Sequence, residues 1–390
     1  MTLTLTMALW GLVSTTLACL IHRYMWVRWV RDMHWPPLVH RLATAFLVVM
    51  SAALPAVMAL GRKLPSTWGP YFAIPLYMWI GIIFYFLLLM GSADIGRWIA
   101  ARRRSSTSVH PDPEARRRFI GRAVGGGVGL LSSSLASAAF LEAKAGPTIE
   151  RVEVPLARFP KALSGLKIVQ ISDLHVGPTI DKAYVENVVR LAMECQPDLI
   201  AVTGDLVDGT VEGLRDAVAP LAGLKAPLGT YYVSGNHEYY SGIEPWLAHV
   251  SSLGMEVLAN AHKLISVNGA LFYIAGIHDY SAGRFGHVSD IDLALKESDA
   301  SIPTLLLAHQ PRSILDLKHP QVCLQLSGHT HAGQIWPFTY LVQLVQPYVQ
   351  GLHAHGDCMI YVNRGTGYWG PPMRLPQRSE ITELTLRGQA

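Results

Sequence analysis

The chain has 390 residues, of which 50% are hydrophobic and only 15% are charged, whereas a soluble globular protein carries about 25% charged residues. Residues 1–146 hold 15 Lys and Arg against 5 Asp and Glu, and residues 147–390 hold 17 against 23. This composition excludes a disordered chain and a single soluble domain. We therefore expect two domains, a membrane region over 1–145 and a different, acidic domain over 146–390.

Three uncharged apolar segments in the first part are long enough to cross a bilayer, namely 3–21, 42–60 and 71–91. At a helical rise of about 1.5 Å per residue, about 20 residues span the hydrocarbon layer of about 30 Å. Tryptophans gather near the ends of these segments, as they do at membrane interfaces. Buried helices of a large soluble core are the alternative, but the charged flanks favour membrane spans.

The segment 119–141 is less apolar and contains Arg122. Its small residues recur at four-residue spacing, at Gly121, Gly125, Gly129, Ser133 and Ser137. On a helix they form one smooth face against which another helix packs closely. We predict a fourth span here, with an interfacial segment or a linker as the alternatives.

The arginines of the connecting loops predict the orientation. Four lie in 22–41 and seven in 92–118, so the positive-inside rule places both loops in the cytoplasm and everything after about residue 142 outside it. Residues 116–120 (RRRFI) resemble a twin-arginine export signal; a positive flank that only sets topology is the alternative. Residues 136–138 (ASA) resemble a signal-peptidase site, although the packing face favours retention of the helix.

In the second part, short apolar runs alternate with amphipathic stretches. The runs predict buried strands at 166–171, 199–202, 230–233, 271–275, 304–308 and 322–326. Helices are predicted between several of them, for example at 182–195 and 213–224. Such alternation is typical of an α/β domain.

Polar motifs follow five of these strands. In chain order they are D-x-H at 173–175, G-D-x-x-D at 204–208, G-N-H-E at 235–238, a lone His309, and G-H-T-H at 328–331. Each motif alone is common. Because α/β sheets place their chemistry beyond the carboxyl ends of strands, we expect all five to converge on one site.

These motifs resemble those of the calcineurin-like metallophosphoesterases, over residues of about 150–390, and especially the membrane-associated or twin-arginine-exported bacterial branch. Residues 361–365 (YVNRG) and 373–376 (MRLP) are similar to that branch, whereas Ser379 replaces its usual proline before Glu380. The resemblance implies a four-layer α/β/β/α sandwich, here preceded by an all-α transmembrane region. It also implies a hydrolase acting on phosphoric esters.

The resemblance further implies a site for two divalent metal ions. Asp173, His175 and His331 would bind one metal, Asn236, His309 and His329 would bind the other, and Asp205 would bridge the two. Carboxylate, imidazole and amide ligands without a thiolate suit Mn, Fe or Zn and contain too much nitrogen for Ca²⁺. Two such ions activate a bridging water as hydroxide for attack on the phosphate.

Four further residues are candidates for roles beside the metals. By the same resemblance, His237 protonates the leaving group and Asp208 holds its imidazole. His278 and Arg284 lie in a glycine-rich loop and are candidate substrate contacts, with ordinary solvent-exposed positions as the alternative.

The sequence thus predicts a multi-pass protein of the bacterial inner membrane with an extracytoplasmic phosphoesterase domain. We expect it to hydrolyse phosphodiester or pyrophosphate bonds of a phosphate-ester substrate, with a lipid-linked or envelope compound as the favoured class. No nucleic-acid partner is expected, because the catalytic part is acidic. The alternative is a catalytically silent metal-binding scaffold that recruits envelope partners through its transmembrane helices. A transporter is disfavoured, because the spans hold almost no ionisable residue.

Overall fold

The computed structural model describes residues 3–60, 69–103 and 113–389. The loop predicted between the second and third spans lies mostly outside these residues. Residues 104–112 of the arginine-rich loop lie wholly outside them. Contacts divide the chain into two compact units, Met1–Ala138 and Ala139–Ala390.

The first unit is helical. Its helices are α1 (Leu3–Trp26), α2 (Pro37–Leu60), α3 (Gly69–Arg103) and α4 (Pro113–Lys144), of which α4 continues into the second unit. Three described stretches are long and apolar enough to cross a membrane: Pro37–Ala56, Tyr71–Arg103 and Glu114–Lys144. They overlap the second, third and fourth predicted spans, and α1 covers the first. Helix α3 continues well beyond the predicted end at residue 91.

The glycine face of α4 is a site of close packing. The indole N–H of Trp29 donates to the carbonyl oxygen of Gly125 at 2.9 Å. A Cβ atom built on Gly129 would lie 2.9 Å from the same indole, closer than side chains pack. The small residues predicted to form a packing face are therefore in contact with the segment that follows α1.

The second unit contains two six-stranded sheets. The strands are β1 (Thr148–Leu156), β2 (Lys167–Ile171), β3 (Leu199–Thr203), β4 (Thr230–Val233), β5 (Glu256–Val257), β6 (Ala261–Val267), β7 (Ala270–Gly276), β8 (Thr304–Leu307), β9 (Val322–Ser327), β10 (Gly351–His355), β11 (Cys358–Val362) and β12 (Glu380–Gly388). The first sheet has the order β1-β12-β2-β3-β4-β5, and the second has the order β10-β11-β9-β8-β7-β6.

The alternation of side chains along the strands explains the layers. In β3, Ile200 and Val202 pack with helices on the outer face of the first sheet, whereas Leu199 and Ala201 pack between the two sheets, because successive side chains point to opposite faces. The remaining helices are α5 (Lys182–Glu194), α6 (Val211–Val218), α7 (Asn236–Ser241), α8 (Ile243–Ser252), α9 (Ile291–Ala294) and α10 (Thr339–Val342). Buried residues of α9 cover the second sheet. The predicted α/β/β/α sandwich is confirmed.

The six strands expected from the sequence are present, each within one residue of its predicted ends. The predicted helix 213–224 is instead α6 followed by a 3₁₀ segment, Ala219–Gly223, because Pro220 cannot donate the next helical hydrogen bond. The sequence pattern did not predict the other six strands. Several, such as β10, show no regular alternation of buried and exposed residues, so their period-two signal is weak. Strand β1 does alternate from Arg151 to Leu156, and this signal was missed.

Candidate metal centre

The predicted ligands lie where strands of both sheets end. Asp173 and His175 follow β2, Asp205 follows β3, Asn236 follows β4, His309 follows β8, and His329 and His331 follow β9. Strands β2, β3 and β4 are neighbours in the first sheet, and β8 and β9 are neighbours in the second. The fold therefore brings the five motifs to one region from two sheets.

Many of these residues have a strained backbone. Five have positive φ angles, namely Asp173 (53°), His175 (52°), Asp205 (52°), His329 (71°) and His331 (48°). A non-glycine residue in this region costs on the order of 1–3 kcal/mol, and such residues cluster at functional sites. The surrounding structure must hold these conformations, and their clustering indicates a functional site.

One group of potential ligands comprises Asp173, His175 and His331, whose donor atoms all lie within 4.8 Å of one another. The Nε2 atoms of the two histidines are 3.1 Å apart. His331 Nε2 lies 3.4 Å from Asp173 Oδ1. The three side chains are buried and can surround a single cation.

A second group comprises Asp205, His309 and His329, again within 4.8 Å. His309 Nε2 is 3.1 Å from Asp205 Oδ2. The same carboxylate oxygen is 3.8 Å from Nε2 of His175, which belongs to the first group. Asp205 therefore lies between the two groups, as a bridging ligand would.

Two buried atoms test whether cations fit here. His309 Nδ1 lies 2.7 Å from the carbonyl oxygen of Thr203; since a carbonyl only accepts, Nδ1 carries a proton and Nε2 is the ring atom left to bind a metal. This Nε2 and the Oδ1 atom of Asn236 are buried without a hydrogen-bond partner. Buried acceptors normally have a partner, and a cation would supply one to both. The donor set fits a metal pair.

The electrostatics agree with this arrangement. Burial alone would raise the pKa of Asp205, but His309 and His237 hold it well below its usual range. Burial and the neighbouring His175 and Arg374 hold the pKa of His331 well below its ordinary value. Asp205 is therefore ionised and His331 is neutral, which are the forms that bind metals. Burial lowers the pKa of His309, but Asp205 outweighs this and raises it well above its ordinary value, so a cation at Nε2 would displace a proton.

His237 lies beside this cluster and is held by Asp208. Its Nδ1 atom is in close contact with Asp208 Oδ1, and its backbone N–H donates to Asp205 Oδ1 at 2.8 Å. Burial lowers the pKa of His237, but the charges of Asp205 and Asp208 outweigh this and raise it to about 9. Asp208 also contacts His175, at 3.2 Å from Nδ1, so one carboxylate orients two imidazoles.

Gly328 explains part of the G-H-T-H motif. A Cβ atom at this position would overlap the side chains of Ser172 and Asp173. The absence of a side chain allows the next backbone N–H, that of His329, to donate to both carboxylate oxygens of Asp173 at 2.9 Å. The motif therefore needs glycine because the loop after β9 lies directly against the loop after β2.

A cleft of about 420 Å³ adjoins the cluster, with Asn236 and His329 in its wall. Arg284, one of the two predicted substrate contacts, lines this cleft together with Arg312, which the sequence analysis did not single out. His278 is not among the lining residues, and its Nδ1 atom lies 2.7 Å from the hydroxyl of Tyr239.

Sequence reasoning also missed Glu238 and Arg374. The buried Glu238 carboxylate accepts from the backbone N–H groups of Leu206 and Gly235 at 2.7 Å each, and of Asp205 at 3.0 Å. It thereby fixes the loops that carry two predicted ligands. Its place in the G-N-H-E motif was the available signal.

Arg374 is completely buried beside His331. Its guanidinium donates to the carbonyl oxygens of Gly367 at 2.6 Å and Gly365 at 3.2 Å. Its Nη2 atom also lies 3.1 Å from His331 Nδ1. Burial lowers the pKa of Arg374 to about 10, so it remains charged at neutral pH.

Residues 166–333 match the family model for calcineurin-like phosphoesterase. A zebrafish (Danio rerio) transmembrane protein with metallophosphoesterase domain is 34% identical over 316 residues, covering 78% of this chain and 71% of that protein. The chain belongs to the calcineurin-like phosphoesterase family. A bovine (Bos taurus) protein of the same description is 40% identical over 272 residues, covering 66% of this chain and 61% of that protein. A Helicobacter pylori metallophosphoesterase is 44% identical over 250 residues, covering 63% and 66%.

This calcineurin-like phosphoesterase is a hydrolase of phosphoric ester bonds. The chain spans roughly two thirds of the length of the three relatives. Its family typically binds two divalent metals, and the Asp and His groups described above can hold them.

Proposed function

We propose that this phosphoesterase is anchored in a membrane, holds two divalent ions, and hydrolyses phosphodiester or pyrophosphate bonds. The observation that carries the proposal is the pair of buried polar atoms, Asn236 Oδ1 and His309 Nε2, that lack a hydrogen-bond partner beside clustered carboxylates and imidazoles. Such atoms are costly to bury, and bound cations offset that cost.

The seven side chains divide into two ligand sets. Asp173, His175 and His331 would hold one ion, Asn236, His309 and His329 would hold the other, and Asp205 would contribute to both. Manganese, iron and zinc suit this mixture of oxygen and nitrogen donors. When bound, the two ions supply an activated water and neutralise charge that develops on the phosphate.

The protein's own residues provide the proton for the leaving group. His237 stays protonated at neutral pH because Asp205 and Asp208 stabilise its positive charge, so it can donate a proton to the departing oxygen. Asp208 holds the ring by its Nδ1 atom, which leaves Nε2 for the substrate. Arg284 and Arg312 in the adjoining cleft place positive charge beside the site, where the second phosphate of a diphosphate would lie.

A lipid-linked or envelope compound is the substrate class we favour. Three described helices are able to cross a membrane, and tethering raises the effective concentration of a membrane-bound substrate. The arginine-rich loops favour an orientation in the bacterial inner membrane with the catalytic unit outside the cytoplasm.

The activity is tested by assaying the purified full chain on bis-p-nitrophenyl phosphate with and without Mn²⁺, together with its metal content. Asp205→Asn is expected to lose bound metal and turnover. His237→Ala is expected to keep its metal and to lose about 10²–10⁴-fold in turnover, whereas Asp216→Asn, on the exposed side of α6, serves as control. Metal binding without any turnover in the unmodified chain would favour a silent scaffold.

The orientation is tested with reporters fused after Gly146. A reporter active only outside the cytoplasm is expected to be active there. Activity of a cytoplasm-only reporter at this position would refute the extracytoplasmic assignment.

A further inference from the structure

The second unit exposes six large apolar side chains within ten residues, shortly after the G-H-T-H motif. These exposed residues, between 336 and 345, are Trp336, Phe338, Tyr340, Leu341, Leu344 and Val345. Leu344 is 80% exposed and Val345 is 64% exposed. We call these six residues, together with the half-exposed Trp369, the apolar lip. Exposed apolar patches of this kind mark sites of contact with proteins, ligands or membranes.

The lip lies in an uncharged part of the chain. No Lys, Arg, Asp or Glu occurs between Lys318 and Asp357, although soluble protein surfaces usually intersperse charges of both signs. Trp and Tyr side chains within such a surface are typical of the interface between lipid headgroups and acyl chains.

Hydrogen bonds fix the start of the lip to a neighbouring loop. The backbone N–H of Trp336 donates to the carbonyl oxygen of Leu375 at 2.8 Å, and that of Leu375 donates to Gln334 at 2.9 Å. The side-chain amide of Gln334 donates to the carbonyl oxygen of Trp369 at 2.9 Å. These bonds connect the first residues of the lip to the loop of residues 369–375, which contains Trp369.

That same loop holds the end of α4. The N–H of Arg374 donates to the carbonyl oxygen of Ala139 at 2.9 Å, and Arg378 pairs with Glu142 at 2.7 Å. Ala139 and Glu142 belong to the last turns of α4, where Leu141 is 68% exposed. Since α4 is long and apolar enough to cross a membrane, the loop connects the lip directly to the point where that helix would leave the bilayer.

The lip is also close to the candidate active site. It begins five residues after His331, and the ring of Trp369 lies 6.1 Å from the ring of His237. A surface that contacts lipid here would therefore bring lipid headgroups next to the proposed proton donor.

We propose that the apolar lip rests in the interface of the bilayer that α4 crosses, so that the phosphate ester reaches the metal centre from the membrane surface. The route of the substrate rests on the proposed function, whereas the membrane contact itself does not. A bilayer is a better occupant than a second protein, because the loop 369–375 bonds both to the lip and to the last turns of α4, and a bilayer would be present where that helix leaves it.

The contact is tested on the full chain reconstituted in vesicles of phosphatidylethanolamine and phosphatidylglycerol. Leu341→Cys in the lip and Leu315→Cys outside it form a matched pair, since these leucines are 56% and 59% exposed. Both are made in a Cys19→Ser background, because the other three cysteines are buried. Each variant is labelled with an environment-sensitive fluorophore, and lipids carrying a nitroxide near the headgroup serve as quenchers.

The label at position 341 is expected to be quenched several-fold more strongly than the label at 315. Equal quenching at both positions would overturn the proposal. A blue-shifted label at 341 without lipid quenching would also overturn it, because it would indicate a protein partner or a second copy.

A second variant separates contact from catalysis. Leu341→Glu combined with Leu344→Glu is expected to retain turnover of the soluble bis-p-nitrophenyl phosphate and to lose quenching of a label at Val345→Cys. Retained quenching in this variant would contradict the proposed contact. Absence of bis-p-nitrophenyl phosphate turnover in the unmodified chain would count against the proposed function alone, because quenching requires no catalysis.

Discussion

Replacing Arg374 by methionine tests whether one buried guanidinium supports the candidate metal centre. The substitution keeps much of the side-chain volume but removes all donors. The carbonyl oxygens of Gly365 and Gly367 and the Nδ1 atom of His331 would lose their contacts with it. The two carbonyl oxygens keep other donors, the Glu380 N–H on Gly365 and the Ser379 hydroxyl on Gly367, but each loses a hydrogen bond to a charged group, which is worth about 1.5–3 kcal/mol. The two lost bonds together predict a loss of at least about 3 kcal/mol in the free energy of unfolding.

For a unit of this size, 1 kcal/mol shifts the melting temperature by about 2–4 °C. The Arg374→Met chain is therefore expected to melt at least about 6 °C below the unmodified chain, as measured by differential scanning fluorimetry in detergent. Because His331 loses the partner that orients its ring, affinity for Mn²⁺ is expected to fall by about 10–100-fold, as measured by metal titration.

Arg378→Met is the matched control. Arg378 is four residues away and its side chain is 61% exposed, so its loss is expected to change the free energy of unfolding by less than about 1 kcal/mol. If Arg374→Met melted and bound Mn²⁺ like this control, the supporting role of the buried guanidinium would be refuted.

Three further predictions concern other parts of the chain. Turnover is expected to fall as pH rises, because His237 loses its proton. The pKa of His237 is raised to about 9 without cations, and bound cations repel the imidazolium, so a pH–rate profile should show this fall below about pH 9. The fall is expected to be absent from His237→Ala. Asp208→Asn is expected to lower turnover by about 10–100-fold at saturating Mn²⁺, with metal content followed by mass spectrometry because Asp208 also lies 3.2 Å from His175 Nδ1; turnover equal to that of the unmodified chain would contradict its assignment as an orienting group. Gly129→Val is expected to destabilise the first unit by about 1–3 kcal/mol through a clash with Trp29, whereas Gly127→Val, which has open space around it, is expected to melt normally.

The sequence predicted the layers of the second unit because its central strands are buried on both faces and form continuous apolar runs. The residues 230–233, for example, coincide with β4 at both ends. Peripheral strands such as β10 were missed, because partial exposure removes the apolar run without leaving a clean alternation.

The convergence of the candidate ligands could be expected because each follows a strand end. Glu238 and Arg374 also lie in quoted motifs, but their supporting roles could not be predicted, since both act mainly on backbone groups. Arg374, for instance, binds the carbonyl of Gly367, and no side-chain motif records such a partner. The same applies to Arg312, which joins the cleft only through the packing of the loop after β8.

The potential ligands come from both sheets, with Asp205 supplied by one and His309 by the other. Cations bound between them would join two layers that otherwise meet through an apolar core. Chelation would then loosen the whole sandwich, and backbone amides of β3 and β8 would exchange with solvent together. The metal concentration would thereby determine the lifetime of the folded protein under proteolysis as well as its turnover rate.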